Sequence, residues 1–423
     1  MNKPSFVISC PIDVYSGYSS RSRDIVKAII QLDKYDVKIL PQMWGNCPFG
    51  FIKDNQENWG FLSEYIIQKL DKQPDIWAQI TIPSEFQPIG KYSIGITAGI
   101  ETTLCDGSWI EGCNRMNEIW ISSEHSKNIF ESLVFDKRDK QNNSLGELKL
   151  TKPIYTVFEG MNTDIYFPIQ NPKNDIFDLN NIKENFCFLF VGHWMAGSLG
   201  QDRKNVGLLI QLFYETFKNI KNPPALILKV STGNSSYTSR NTILDRIYKI
   251  RKTIKADILP NIYVLNGDIT DEQMNNLYNH PKVKAMVNLT KGEGFGRPLL
   301  EFSLINKPII TTNWSGQVDF LQSDVTTLLP GKLNPVHPSA VNQWILKDSK
   351  WFDVDVISVN NSLKDVFNNY KKYQPKAIQQ GYRNRNKFTF NKMKELIDNL
   401  LTKHLPEFPQ YTEFKLPQIT KLK

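Results

Sequence analysis

Two successive runs of short apolar segments alternating with longer amphipathic stretches, separated by one polar interval, restrict this chain to a parallel α/β architecture in two parts. The first run opens at Ser5–Cys10 (SFVISC). A loop over 13–20 follows, then a helix expected near Arg23–Leu32. Asp36–Leu40, Asp75–Thr81, Ser93–Thr97 and Glu118–Ser122 read as further strands, the last followed by a helix over Glu124–Leu133. Lys152–Phe158 ends the run, and the polar segment 169–184 reads as a linker. The pattern restarts at Phe186–Val191 (FCFLFV) and continues through a helix at Val206–Phe217 and strands at Ala225–Val230, Ile262–Leu265, Ala285–Asn288 and Pro308–Thr312. Asn391–His404 is an amphipathic helix near the end. A chain of 423 residues exceeds one ordinary core. The expected division is 1–168, a linker 169–184, 185–385, and a C-terminal helix and tail 386–423 that packs back on the first part. No internal repeat or heptad run competes with this division.

Composition narrows the class. Hydrophobic residues at 40% and charged residues at 22% describe a soluble globular protein. No apolar run approaches the roughly 20 residues that span a bilayer, and the N-terminal apolar stretch is too short for a signal peptide. Five cysteines (10, 47, 105, 113, 187) without C-x-x-C spacing read as reduced thiols of a cytoplasmic protein. The net charge of +8 favours anionic partners, although most of it reads as a solvated lysine-rich surface.

The densest chemistry lies in residues 291–320, KGEGFGRPLLEFSLINKPIITTNWSGQVDF. Glu293 sits in a glycine loop (Gly292, Gly294, Gly296), Pro298 opens an apolar helix, and Glu301 lies one turn inside it. Proline suits the first helical turn because its missing N–H would be unpaired there. The loop amides and the helix dipole suit an anion, whereas two carboxylates suit pairs of hydroxyls. A ligand carrying both phosphate and sugar satisfies both demands.

EGFGRPLLE followed by a buried strand and N-x-S-G resembles the donor-binding signature of retaining glycosyltransferases of the GT-B fold, family 4. That resemblance implies two facing Rossmann-like domains with a central cleft, Glu293 on the transferred sugar, Glu301 on the nucleotide ribose, and Gly294, Phe295 and Gly296 along the donor. The loop Gly192–Asn205 follows a strand and precedes a helix, where open α/β sheets bind ligands. Relatives carry Arg directly after this glycine and Lys before the helix. Lys204 matches the second position. His193 stands at the first, so Arg203 is expected to supply the missing cation, and the two would neutralise the departing nucleoside diphosphate. Gly17, in the loop after the first strand, is expected to bring backbone N–H groups to the donor phosphates or to the acceptor. Relatives also place a His beside the anomeric carbon. None is available in residues 83–117, and Glu101 is the candidate for its place. His125 reads as structural, in the first turn of a helix capped by Ser122 or Ser123.

Metal ligation is not expected. The five histidines are scattered and pair with no suitable Cys, and Asp353-Val354-Asp355 follows the donor motif instead of ending a strand of a first nucleotide-binding domain. The resemblance therefore implies a metal-independent, cofactor-free hexosyltransferase. It would move sugar with retention from a UDP- or GDP-sugar to a glycan, lipid-linked or protein acceptor. Its setting would be the cytoplasm, with room for peripheral contact at the cytosolic membrane face. A nucleotide-sugar epimerase of similar fold is one alternative. A nucleic-acid-binding or -modifying protein is another. The charge suggests it, but no helix-turn-helix or zinc finger supports it, so nucleic acid is not an expected partner.

Overall fold

The computed structural model describes residues 3–139, 141–170, 172, 179–233 and 235–408. Part of the expected linker and the tail beyond residue 408 lie outside the described residues.

Two six-stranded, all-parallel sheets organise the chain. The first contains β1 (Ser5–Cys10), β2 (Asp36–Pro41), β3 (Ile76–Ile80), β4 (Tyr92–Thr97) and β5 (Glu118–Ile121), and an exposed antiparallel hairpin of β6 (Val134–Arg138) and β7 (Ser144–Lys149) precedes its last strand, β8 (Ile154–Thr156). Its order is β2-β1-β3-β4-β5-β8. The second contains β9 (Cys187–His193), β10 (Ala225–Ser231), β11 (Ile262–Leu265), β12 (Val283–Asn288), β13 (Ile309–Thr312) and β14 (Thr327–Leu329), in the order β11-β10-β9-β12-β13-β14. A hairpin of β15 (Gly331–Pro335) and β16 (Lys350–Val354) follows. Parallel strands buried on both faces explain the unbroken apolar runs read from the sequence: Cys187 to Phe190 are all fully buried.

Each sheet reverses its strand order beside its first strand, between β1 and β3 and between β9 and β12. Such switch points open a crevice at the strands' carboxyl ends. The crevice of the second sheet receives the loops after β9 and β12, which carry residues 194–205 and 289–296.

The first helix starts at Gly17, six residues before the expected Arg23. Ser16 is extended and its hydroxyl accepts from the Ser19 N–H, so the cap sits earlier than the apolar periodicity suggested. Arg21 and Arg23 lie inside this helix and are 2% and 3% exposed, which hid it from a pattern reading that expects arginine outside.

The chain crosses between the two bodies at two adjacent places. The Met161 N–H donates to the Phe388 carbonyl (2.9 Å), and the Phe390 N–H donates to the Met161 carbonyl (2.8 Å). Met161, Ile165 and Tyr166 pack with the second core. Helix Tyr370–Lys387 ends just before the return crossing, two residues past the expected boundary at 385. Helix Phe390–His404 then lays Met393, Ile397, Leu400 and Leu401 on the first core, beside helix Gly17–Leu32. Among the described residues no helix is long and apolar enough to cross a membrane.

Candidate functional site

Backbone pairing brings the two second-domain loops together. The Lys291 N–H donates to the Arg203 carbonyl at 2.8 Å. Asp202, fully buried, accepts from the Val206 N–H and so caps helix Val206–Phe217, while Asn205 turns the chain in the left-handed region (φ 57°). This turn aims Lys204 at the glycine loop. Gly192 lies directly behind it, where a Cβ would stand 3.8 Å from Lys204 Cδ. The turn Asn313–Gly316 fixes the other side: the Ser315 hydroxyl accepts from the Glu293 N–H (2.9 Å), and the Gly316 N–H donates to the Glu293 carbonyl (3.0 Å).

The result is a buried ionic cluster. Lys204 Nζ reaches both Glu293 oxygens, at 2.5 and 2.6 Å. Arg203 Nη1 donates to the Gly292 carbonyl (2.9 Å) and lies 3.4 Å from Glu293 Oε2. Glu293 is 5% and Lys204 9% exposed. Burial pushes the Glu293 carboxyl upward, but the Lys204 and Arg203 charges outweigh it and hold Glu293 below the usual carboxylate range. Glu101, from the loop after β4, faces the cluster from the other domain, 3.6 Å from Arg203 Nη2. The structure therefore brings Glu101, Arg203, Lys204 and Glu293 together.

The glycines of the loop allow the two domains to meet. A Cβ on Gly292 would stand 1.9 Å from the Glu101 carbonyl oxygen, and one on Gly294 would stand 2.6 Å from that of Ala98. The Ser122 hydroxyl donates to the Gly294 carbonyl across the same junction (3.2 Å). Gly296 adopts φ 98° and opens helix Arg297–Ser303, a conformation that other residues rarely adopt. The Phe295 side chain is 3% exposed and packs against Phe320, so what this residue presents at the loop surface is its backbone.

A second group lies at the other end of the cleft. Glu301 accepts from the Tyr278 hydroxyl (2.9 Å) and from Arg297 Nε (3.0 Å), and burial raises its carboxyl to about 7. Arg297 also pairs with Asp24 of the first domain (2.6 Å) and lies 4.0 Å from Glu159. Sequence reasoning passed over Arg297, Asp24 and Glu159. The position of Arg297 immediately before Pro298, at the start of the helix, was the available signal.

A cavity of about 230 Å³ lies between the domains, lined by Ser16, Gly17, Ser20, Arg23, His193 and Arg297 among others. Gly17 is thus at the cleft, as the first residue of its helix. His193 borders the cavity with Nδ1 2.8 Å from the Ser231 hydroxyl. Although its surface is open to the cleft, the surrounding protein and the nearby Lys204 and Arg203 charges push its imidazole down to about 4, so it is neutral at pH 7. The cations lining this cavity are Arg23 and Arg297, whereas Arg203 faces Glu293 and Glu101.

The other singled-out residues are structural. Ser123 caps helix Glu124–Ser132, and His125 is half-buried, edge-on to Trp314 with ring centroids 4.6 Å apart. Asp353 pairs with Lys291 and accepts from Asn334 (2.6 Å), and Asp355 caps the helix Val356–Asn368. Among the described residues, no three His, Cys, Asp or Glu come together as a metal-ligand group.

No protein-family model matches the chain, and no curated protein matches it in sequence. Solved structures do match in shape. HepE of Anabaena, solved in complex with UDP-glucose, superimposes with a TM-score of 0.63 at 12% identity, covering 94% of this chain and 99% of that one. Sucrose-phosphate synthase of Thermosynechococcus elongatus gives 0.60 at 11% identity, covering 95% and 99%. The fold is GT-B. WaaG, a glycosyltransferase of lipopolysaccharide biosynthesis, gives 0.57 at 12% identity over 93% and 99%. At these identities the likeness establishes the GT-B architecture, and the chemistry must be argued from the site.

Proposed function

We propose that this GT-B protein transfers a hexose-type sugar from a nucleoside-diphosphate sugar to an acceptor hydroxyl, with retention of configuration and without a metal. The observation that carries this reading is the cluster Lys204–Glu293–Arg203, buried in the second domain and faced by Glu101 from the first. Lys204 and Arg203 supply two preorganised positive charges where charge grows on a departing diphosphate. Glu293 holds both cations in place and keeps lone pairs free for sugar hydroxyls. Each Glu301 oxygen likewise retains a lone pair for the ribose hydroxyls beside Tyr278 and Arg297. Glu101, partly open to the cleft, stands on the acceptor side. Holding donor and acceptor in one cleft supplies much of the rate. The solved complex of HepE with UDP-glucose supports a nucleotide-sugar as donor class.

The test is to incubate the chain with nucleotide-sugars and candidate acceptors, with and without EDTA, and to follow the product's anomeric configuration by NMR. Transfer with retained configuration, unchanged by EDTA, is expected. Inverted product, or a donor sugar epimerised without any acceptor, would overturn the reading.

A further inference from the structure

A second cavity, also about 230 Å³, adjoins the one at Gly17 and shares Tyr15, Phe51, Trp59, Asp268, Ile269 and Asp271 with it. The two differ in chemistry. The first adds Arg23, Arg297, Asp24 and the N-terminus of a 16-residue helix to the shared Asp268 and Asp271, so it alone brings cations and free helix amides to an anion. No Lys, Arg or His lines the second; Asp54, Asp268, Asp271 and Glu272 do, together with three aromatic rings and the amides of Asn55, Asn58 and Gln273. Each of those carboxylates is held by a neutral donor: Asp54 by the Tyr15 hydroxyl (2.6 Å), Asp268 by Ser235 (2.8 Å), Asp271 by Tyr166 (3.0 Å) and Glu272 by Asn58 (3.0 Å). They therefore keep lone pairs for hydrogen-bond donors on a ligand, and Asp54 and Glu272, which line this cavity and not the first, disfavour phosphate here.

A ligand spanning both cavities is anionic at one end, and at the other neutral, flat and rich in N–H groups. On the reading of the cleft as a nucleotide-sugar site, we propose that the nucleobase lies in the carboxylate-lined cavity and that this cavity selects guanine. Guanine presents two adjacent N–H donors on one edge, which match the two oxygens of a carboxylate, and the side-chain amides suit its remaining acceptors. Uracil presents one N–H between two carbonyls, and those oxygens would face carboxylates. Tyr15, Phe51 and Trp59 supply apolar faces for a bicyclic base.

Calorimetric titration of the full chain with GDP, IDP, UDP and CDP tests the proposal. GDP is expected to bind tightest. IDP, which lacks the 2-amino group, is expected to bind roughly tenfold more weakly. The double variant Asp54→Asn/Glu272→Gln, at two exposed positions, is expected to lower the GDP-to-UDP affinity ratio by roughly tenfold, through weaker GDP binding with no loss of UDP binding. UDP or CDP binding more tightly than GDP, or an undiminished ratio in the variant, would overturn guanine selection and leave the transferase reading standing. Failure of every nucleoside diphosphate to bind would remove both.

Discussion

Replacing Lys204 with methionine strips Glu293 of its two shortest contacts while keeping the aliphatic volume. The carboxylate, 5% exposed in the parent protein, keeps Arg203, at 3.4 Å, and the Thr290 hydroxyl. Breaking a buried pair by removing one partner costs about 3–5 kcal/mol, and the residual Arg203 contact places the expected loss near the lower figure. At roughly 2–4 °C per kcal/mol for a unit of about 200 residues, the second domain's melting temperature should fall by about 6–12 °C. Adding Glu293→Gln removes the uncompensated charge, so the double variant should regain much of that stability. Activity should follow a different course. Transfer should drop by at least about 100-fold in Lys204→Met, in Glu293→Gln and in the double variant, because the cation and carboxylate are both needed by the substrate. Calorimetric melting and a donor-consumption assay on all four proteins measure both effects. A Lys204→Met protein with wild-type melting and wild-type transfer would refute the reasoning. A double variant that recovers activity along with stability would show the pair to be structural only.

Three further outcomes follow from the geometry. Gly292→Ala puts a methyl 1.9 Å from the Glu101 carbonyl oxygen, a backbone atom that cannot swing aside, so the domains must separate locally; overpacking of this kind costs about 1–3 kcal/mol, and the domain contact should loosen in small-angle scattering while transfer falls. Glu301 has a native carboxyl raised from 4.5 to about 7, so the native state holds a proton that the unfolded state has lost across that window, and stability should fall as pH rises from 4.5 to 7. Glu301→Gln should remove that part of the slope, seen as the difference between wild-type and variant denaturation midpoints against pH. Arg297→Met leaves Asp24, Glu159 and Glu301 buried without their shared cation, an expected loss of about 3–5 kcal/mol at pH 7 that should shrink at pH 5 as carboxylates protonate.

Much of the fold was legible because parallel strands buried on both faces leave continuous apolar runs. Ser5–Cys10, Ile262–Leu265 and helix Val206–Phe217 have the bounds read from the sequence. What escaped was structure whose signal is weak or reversed. The hairpin Val134–Lys149 is exposed on nearly every residue and carries no apolar alternation. Helix Tyr237–Thr253 is polar over most of its surface, and only Ser239, Ile243, Ile247 and Ile250 are buried. At the site, Glu293 and Lys204 were readable because glycine, proline and a helix start constrain their backbone. Their direct pairing was not, because it depends on two loops 89 residues apart meeting at one sheet's switch point. Arg297 and its three carboxylates link the domains, and no local pattern reports a contact spanning 273 residues.

The most direct test of the central claim is the melting temperature of the full chain and of its Lys204→Met variant with UDP, GDP and their sugars, with and without EDTA. A nucleoside diphosphate at a hundredfold excess over its dissociation constant stabilises the folded state by about 2.7 kcal/mol. The account predicts such a stabilisation with at least one nucleotide, unaffected by EDTA and lost in Lys204→Met. No stabilisation by any of them, or an equal one in the variant, would contradict it.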